Sequence, residues 1–184
     1  GNVEQFNRRR PPQLKLLEIS LCGANLSGVD LSGALLAGAV LSSIDLRRAI
    51  LKDADLEGAK LRMANLQGAD LSGACLIGAD FSQARLVKAR MVGASLMRGT
   101  FESADLTQAN LAGAKLGRAD FSNSRLCQTN LRQAHLFWCN FGKADLTGAH
   151  LRGALLEGAN FWGAVGLPAE VRQQILAELE QSWG

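Results

Sequence analysis

From position 16 to position 161 every fifth residue is a large apolar side chain, and the phase never slips. Thirty consecutive sites obey the rule: twenty-four are Leu, five are Phe and one is Met91. A fixed short period sustained over most of a chain is the mark of a repeat architecture, in which each unit buries its apolar face only against its neighbours. Neither regular element accommodates this period. In an α-helix five residues advance about 140° past a full turn, so the leucines would scatter around the cylinder. In a flat strand odd steps of five throw successive leucines to opposite faces. A chain that turns a corner every five residues points all of them inward.

The phenylalanines set the number of sides. Phe81, Phe101, Phe121, Phe141 and Phe161 are the only Phe among the thirty central sites, and they lie twenty residues apart. Four pentapeptides per coil stack all five on one wall; three or five sides would scatter them. The residue two before each central site is equally constrained. From 19 to 159, twenty-two of twenty-nine such residues are Ala, as a second inward side chain in a narrow interior requires. Gly23, Gly28, Gly33, Gly38, Gly58 and Gly68 fall two residues after central sites, where the corner turns tightly.

The runs Ala24-Asn25-Leu26, Ala54-Asp55-Leu56, Ala69-Asp70-Leu71, Ala104-Asp105-Leu106 and Ala159-Asn160-Phe161 resemble the A(D/N)LXX unit of pentapeptide-repeat proteins. The resemblance covers about residues 19–166. It implies an all-β solenoid, a right-handed quadrilateral β-helix of about seven four-sided coils, roughly 35 Å long at about 4.8 Å per coil. It also points to a bacterial source, since the family is especially abundant in cyanobacteria.

An open solenoid must cover both ends. Residues 167–184 are expected to form an amphipathic capping α-helix. Pro168 stands at its start, Val171, Ile175, Leu179 and Trp183 recur every four residues with Leu176 beside them, and Arg172, Gln173, Gln174, Glu178 and Gln181 lie opposite. The resemblance leaves dimerisation through this helix as an alternative to capping; a monomer is the expected state. Residues 1–18 form an N-terminal tail and cap. Val3 to Arg10 reads as too polar to fold, Pro11-Pro12 breaks any helix, and Leu14, Leu16, Leu17 and Ile19 are expected to cover the first coil.

Apolar content of 47% excludes a disordered chain, and no apolar run is long enough to span a membrane. The first ten residues, polar and basic, do not read as a secretory signal. The net charge of +3 divides into +2 over residues 1–18, +3 over 19–166 and −2 over 167–184, without the clustered excess of a nucleic-acid binder. Cys22, Cys75, Cys127 and Cys139 show no metal-motif spacing, and no two occupy equivalent positions in adjacent coils. Free thiols in a reducing, cytoplasmic setting are expected, with Cys139 buried in an Ala slot.

Catalysis needs convergent polar groups, and the candidates are thin. His135 and His150 fall on different walls, and Cys75 lies three coils from His135 on the same row. The Asp and Asn residues that precede central sites fall in rows interrupted by Lys60, Arg85, Arg90, Lys115 and Arg125, which reads as solvated pairing between coils. No catalytic, cofactor-binding or metal-binding residues are assigned, and no enzyme is expected. The most unusual outward residues are Phe137 and Trp138. Ile77 and Met97 share the row of Phe137 with Gly117 between them, and Arg118 is placed to meet Trp138 as a cation–π pair. This apolar strip on a polar rod is the candidate protein-interaction surface. The expected function is therefore a non-enzymatic structural or interaction rod with an unidentified protein partner, no cofactor, no nucleic acid and no membrane. The resemblance supplies an alternative, a DNA-mimic modulator of DNA gyrase, which the positive charge of the chain does not suit.

Overall fold

Each pentapeptide takes the same course: an extended residue, the central apolar residue, a two-residue turn and a small residue. The computed structural model describes the backbone of residues 3–11 and 14–182, and the side chains of all of these except Glu170 and residues 178–182. Pro12 and Trp183, and the side chains of Glu178, Leu179 and Gln181, lie outside the described residues. The second turn residue is left-handed at every step from Glu18 to Gly163, with φ between 54° and 73° at all thirty positions. Only fourteen of these are Gly, so sixteen corners place a side chain where L-residues pay about 1–2 kcal/mol.

The corners return the chain onto itself after twenty residues. Twenty-seven parallel bridges, from Lys15↔Leu35 to Asp145↔Val165, all join residue i to residue i+20. Within one unit, Leu56 N–H donates to Cys75 O at 2.7 Å, Gly58 N–H to Ile77 O at 2.9 Å, and Ala59 N–H back to Leu56 O at 3.0 Å. Cys75 N–H donates to Ala54 O at 2.9 Å. The same four bonds recur along the rod, leaving one N–H per unit, that of the first turn residue, without a backbone partner.

Where Asp or Asn occupies the extended position, its side chain supplies the acceptor. All fourteen Asp and Asn residues at the extended position between Asn25 and Asn160 accept the backbone N–H two residues on, as in Ser72 N–H to Asp70 Oδ1 at 3.1 Å and Ala112 N–H to Asn110 Oδ1 at 3.1 Å. Ser or Thr in the first turn position adds its hydroxyl, as Thr107 does to Asp105 Oδ1 at 2.6 Å. This is an Asx-turn repeated along a solenoid. It gives these acidic residues a local task that the row-pairing expectation missed.

The interior is filled. Central residues and their small partners form one continuous buried cluster from Val29 to Leu156, with partly buried residues at either end. Where the Ala slot is polar, the group reaches a carbonyl: Ser124 Oγ donates to Phe121 O at 2.6 Å, and Thr129 Oγ1 to Leu106 O at 2.8 Å. Among the described residues no buried side-chain N or O lacks a partner. The five Phe form a ladder with centroids 4.8–5.1 Å apart and planes within 10° of parallel.

Both ends carry a helix. At the N-terminus Val3–Arg9 forms α1, against the expectation of an unfolded tail. Tertiary anchoring explains it. Asn7 Nδ2 donates to Gly28 O at 3.1 Å while Asn7 Oδ1 accepts Asp30 N–H at 2.9 Å, so one side-chain amide pairs with the open backbone edge as a peptide would. Arg10 donates to Ser32 O and lies 3.7 Å from Asp30. Phe6 roofs an apolar cavity of about 360 Å³ with Leu14, Leu16, Ile19 and Leu26. Leu17, expected in the cover, instead points outward at 57% exposure. At the other end α2 runs Ala169–Ser182, with Val171 buried, Ile175 packed on the core and Leu176 exposed. Pro168 precedes it, and its carbonyl accepts Arg172 N–H at 3.2 Å.

Phe121→Ala should cost about 3–5 kcal/mol in chemical denaturation, and Phe161→Ala distinctly less because its ring is only half-buried. Gly58 has open space where a Cβ would stand, so Gly58→Ala tests the corner conformation alone and should cost about 1 kcal/mol. Gln133→Gly should stabilise by about 0.5 kcal/mol, the relief of left-handed strain exceeding the entropy cost of Gly.

Candidate functional site

The corner after the wall of Cys75, Ser95, Lys115 and His135 carries Ile77, Met97, Gly117 and Phe137 in one row, and Gly78, Arg98, Arg118 and Trp138 in the next. Ile77, Met97, Arg98, Gly117, Arg118, Phe137 and Trp138 together line a shallow surface depression of about 380 Å³. All five residues singled out from the sequence are thus brought to one place. Gly117 makes the notch: a Cβ there would meet nothing closer than Phe137 O at 3.8 Å. Met97 is 39% and Trp138 61% exposed. His135 meets Phe137 edge-on with ring centroids 6.0 Å apart.

The Arg118–Trp138 cation–π pair is not formed. The indole turns the other way, onto the next coil, where a Cβ on Gly158 would stand 2.6 Å from Trp138 Cδ2. The ring fills the space that the glycine leaves. Among the described residues the cation–π contact is instead Lys143 over Trp162, at 5.3 Å. Among the described residues Trp162 is the most exposed of the large apolar side chains, at 70%, and nothing in the repeat pattern singled it out.

Elsewhere the polar groups do not converge on a reaction. His135 bridges Lys115 and Leu155, and His150 bridges Asn130 on another wall. All four Cys are free, and Cys139 is buried with its thiol pushed up to about 12 by burial. Cys127 is also raised, by burial and by its contact with Asp145 Oδ2 at 3.2 Å. Asp55, Glu57 and Cys75 do come together, with ligand atoms within 4.8 Å of one another. The sequence search missed this grouping because it compared Cys only with Cys and His, whereas Cys75 bridges Asp55 one coil away. Two carboxylates and a thiol mix hard and soft donors on an open edge, which suits no single class of cation well. A depression of about 620 Å³ lies along another corner where Gly28 and Gly68 alternate with Arg48 and Lys88; Arg47 at its rim is paired with Asp45 at 2.6 Å. A filled interior therefore still leaves grooves at corners, wherever glycine and long side chains alternate.

Four carboxylates sit below their ordinary range. Asp45 is held there chiefly by the side chain of Arg47, and Asp145 by the hydroxyl and amide of Thr147. At Asp30 and Asp70 burial opposes the charge, but hydrogen bonds from Ser32 and Ser72, with Arg10 and Lys52, outweigh it. A carboxylate with a lowered native pKa stabilises the fold at pH above its unfolded value and loses that contribution as pH falls through the native one. The contribution of these four carboxylates should thus be constant above about pH 5 and decline below about pH 4. Asp145→Asn keeps an Oδ1 acceptor for Thr147 N–H, so it should flatten part of this decline in acid denaturation curves.

The chain belongs to the pentapeptide repeat family: the family model of pentapeptide repeats matches in eight copies, at residues 20–62, 64–102, 104–142 and 134–165. Proteins of this family fold as right-handed quadrilateral β-helices and are in general structural or interaction proteins. Among solved structures, QnrB1, a plasmid-mediated fluoroquinolone resistance protein, is 20% identical, with 90% of this chain and 87% of that chain covered and a TM-score of 0.50. HetL, a pentapeptide repeat protein involved in heterocyst differentiation regulation from Nostoc sp. strain PCC 7120, is 28% identical over 90% of this chain and 95% of that chain, with a TM-score of 0.32. A pentapeptide repeat protein from the Arabidopsis thaliana thylakoid lumen is 32% identical over 71% of this chain and 70% of that chain, with a TM-score of 0.24. A search of curated proteins found no match.

Proposed function

We propose that this protein is a non-enzymatic rod that presents the Ile77–Met97–Phe137–Trp138 strip, with Arg118, to a protein partner. The observation that carries the reading is the gathering of one exposed indole, an exposed thioether, a phenylalanine and an arginine around a glycine notch. Trp, Met, Phe and Arg are the residues enriched in the buried centres of protein interfaces. The rod is taken as about seven twenty-residue coils over residues 19–166, with α1 (Val3–Arg9) and α2 (Ala169–Ser182) at its ends, and acting as a cytoplasmic monomer. Between its ends the interior of the rod is filled, which supports a reading in which function lies on the outer surface.

Gyrase modulation by DNA mimicry is the second reading, prompted by the family fold. It needs a strongly acidic rod, whereas this chain carries a net +3 and the Asp residues of its extended positions are engaged in turn bonds. The test is affinity purification from the native cell with the wild-type protein and with the double variant Phe137→Ser/Trp138→Ser. A partner captured by the wild type should be lost by the variant, while thermal unfolding is unchanged; retention of every partner removes this site. A supercoiling assay should show no gyrase inhibition at micromolar protein, and inhibition there would support the second reading.

A further inference from the structure

Resting on the interaction reading above, we propose that the partner of the Gly117 notch is a short extended acidic segment that places one aliphatic or aromatic side chain between Met97 and Phe137. Three features of the corner specify this chemistry. The first is the size of the notch. Met97, Gly117 and Phe137 occupy successive coils, and the stacked Phe rings fix the coil step at 4.8–5.1 Å. The gap between Met97 and Phe137 is therefore about 10 Å from backbone to backbone, enough for one side chain to enter over the glycine.

The second is charge. Arg98 and Arg118 flank the row on one side and Lys115 and His135 on the other; all four are exposed, and none forms an ion pair among the described residues. The nearest acidic residues on the adjoining wall are engaged: Asp120 accepts from Ser122 N–H and Asn140 Nδ2, and Asp80 accepts from Ser82 and lies 3.7 Å from Arg62. A partner bearing carboxylates on both sides of its apolar anchor meets Arg98 and Arg118 on one side of the row and Lys115 on the other, and a basic partner would meet like charge. The third is length. Glu57 and Glu157 occupy the same row beyond Ile77 and Phe137. Between these two acidic ends the row from Ile77 to Phe137 spans three coil steps, roughly 15 Å, or four to five residues of extended chain.

Nucleic acid is the competing occupant, since aromatic and basic side chains also serve single strands. It fits less well. Only one indole is offered for stacking, the row beside it is aliphatic, and the cations bracket a notch rather than track along a backbone.

Fluorescence anisotropy with labelled synthetic peptides tests the proposal. The probes are a peptide of one leucine flanked by aspartate and glutamate, the same peptide with alanine for leucine, and the same with lysine for every acidic residue; a single-stranded oligonucleotide is the fourth. The acidic leucine peptide should bind at least about tenfold more tightly than any other probe. Arg98→Ser/Arg118→Ser should weaken it about fivefold or more, and added salt should weaken it further. Gly117→Met, which fills the notch without backbone strain, should abolish binding while the thermal midpoint stays unchanged. Equal binding of the lysine peptide, with loss of both in Gly117→Met, would overturn the acidic partner but leave the strip as an interaction surface. Tighter binding of the oligonucleotide at the same residues would overturn the choice of a peptide. Binding that neither Gly117→Met nor Phe137→Ser alters, or no peptide binding at all, would overturn the proposal together with the strip.

Discussion

The left-handed corner every fifth residue is the constraint on which the rest of this molecule depends. It turns the chain by one side of a square, so that twenty residues close a coil and each extended residue meets its counterpart in the next. Once the corners are set, one side chain per unit has nowhere to go but inward, and the residue two before it shares the same narrow interior and is small in all but the first coils, where Ile19, Val29 and Ile44 stand. The identical step from coil to coil is what stacks five phenylalanine rings face to face. Sixteen corners accept a side chain in a conformation that favours glycine. The lattice of inter-coil hydrogen bonds and the continuous core hold them there.

The corners also decide where function can lie. Inward positions are committed to packing, and the extended positions that carry Asp or Asn are committed to bonding the turn. The two outward turn residues of each unit are the least constrained by the fold. The Phe137 and Trp138 surface consists entirely of such residues, and so do most residues lining the Arg48 and Lys88 groove. Neighbouring rows meet at about 5 Å, so a glycine in one coil becomes a notch bounded by its neighbours. Gly117 between Met97 and Phe137 is one case, and Gly158 beneath Trp138 is another.

The solenoid was legible because its signal repeats. Leu at 16 and every fifth residue onward, Phe at steps of twenty and Ala two residues before each are the same physical statement made some thirty times. The N-terminal helix was not legible, because seven residues with little apolar content have no intrinsic reason to be helical. Their helix rests on Asn7, Arg10 and Phe6 meeting the first coils. The task of the Asp and Asn residues was hidden for a related reason: it is a bond to the backbone two residues on, which charge patterns along a row do not reveal. At the candidate surface the rows gave the right neighbours but not the direction of a side chain. Trp138 was one coil from both Arg118 and Gly158, and only the space left by the glycine decides between them.

Amide hydrogen exchange resolved by residue tests the repeating bond pattern most directly. In the unit around Cys75 the amides of Leu76, Gly78, Ala79 and Asp80 donate to backbone carbonyls, while Ile77 has none, and no Asp or Asn precedes it by two. Exchange should therefore be slow at four of every five positions and fast at the first turn residue. At that residue it should slow only where Asp or Asn stands two residues earlier, as Asp80 does for Ser82. Protection without a five-residue period, or equal protection at Ile77 and its neighbours, would contradict the four-sided coil and the division of outward from committed positions that rests on it.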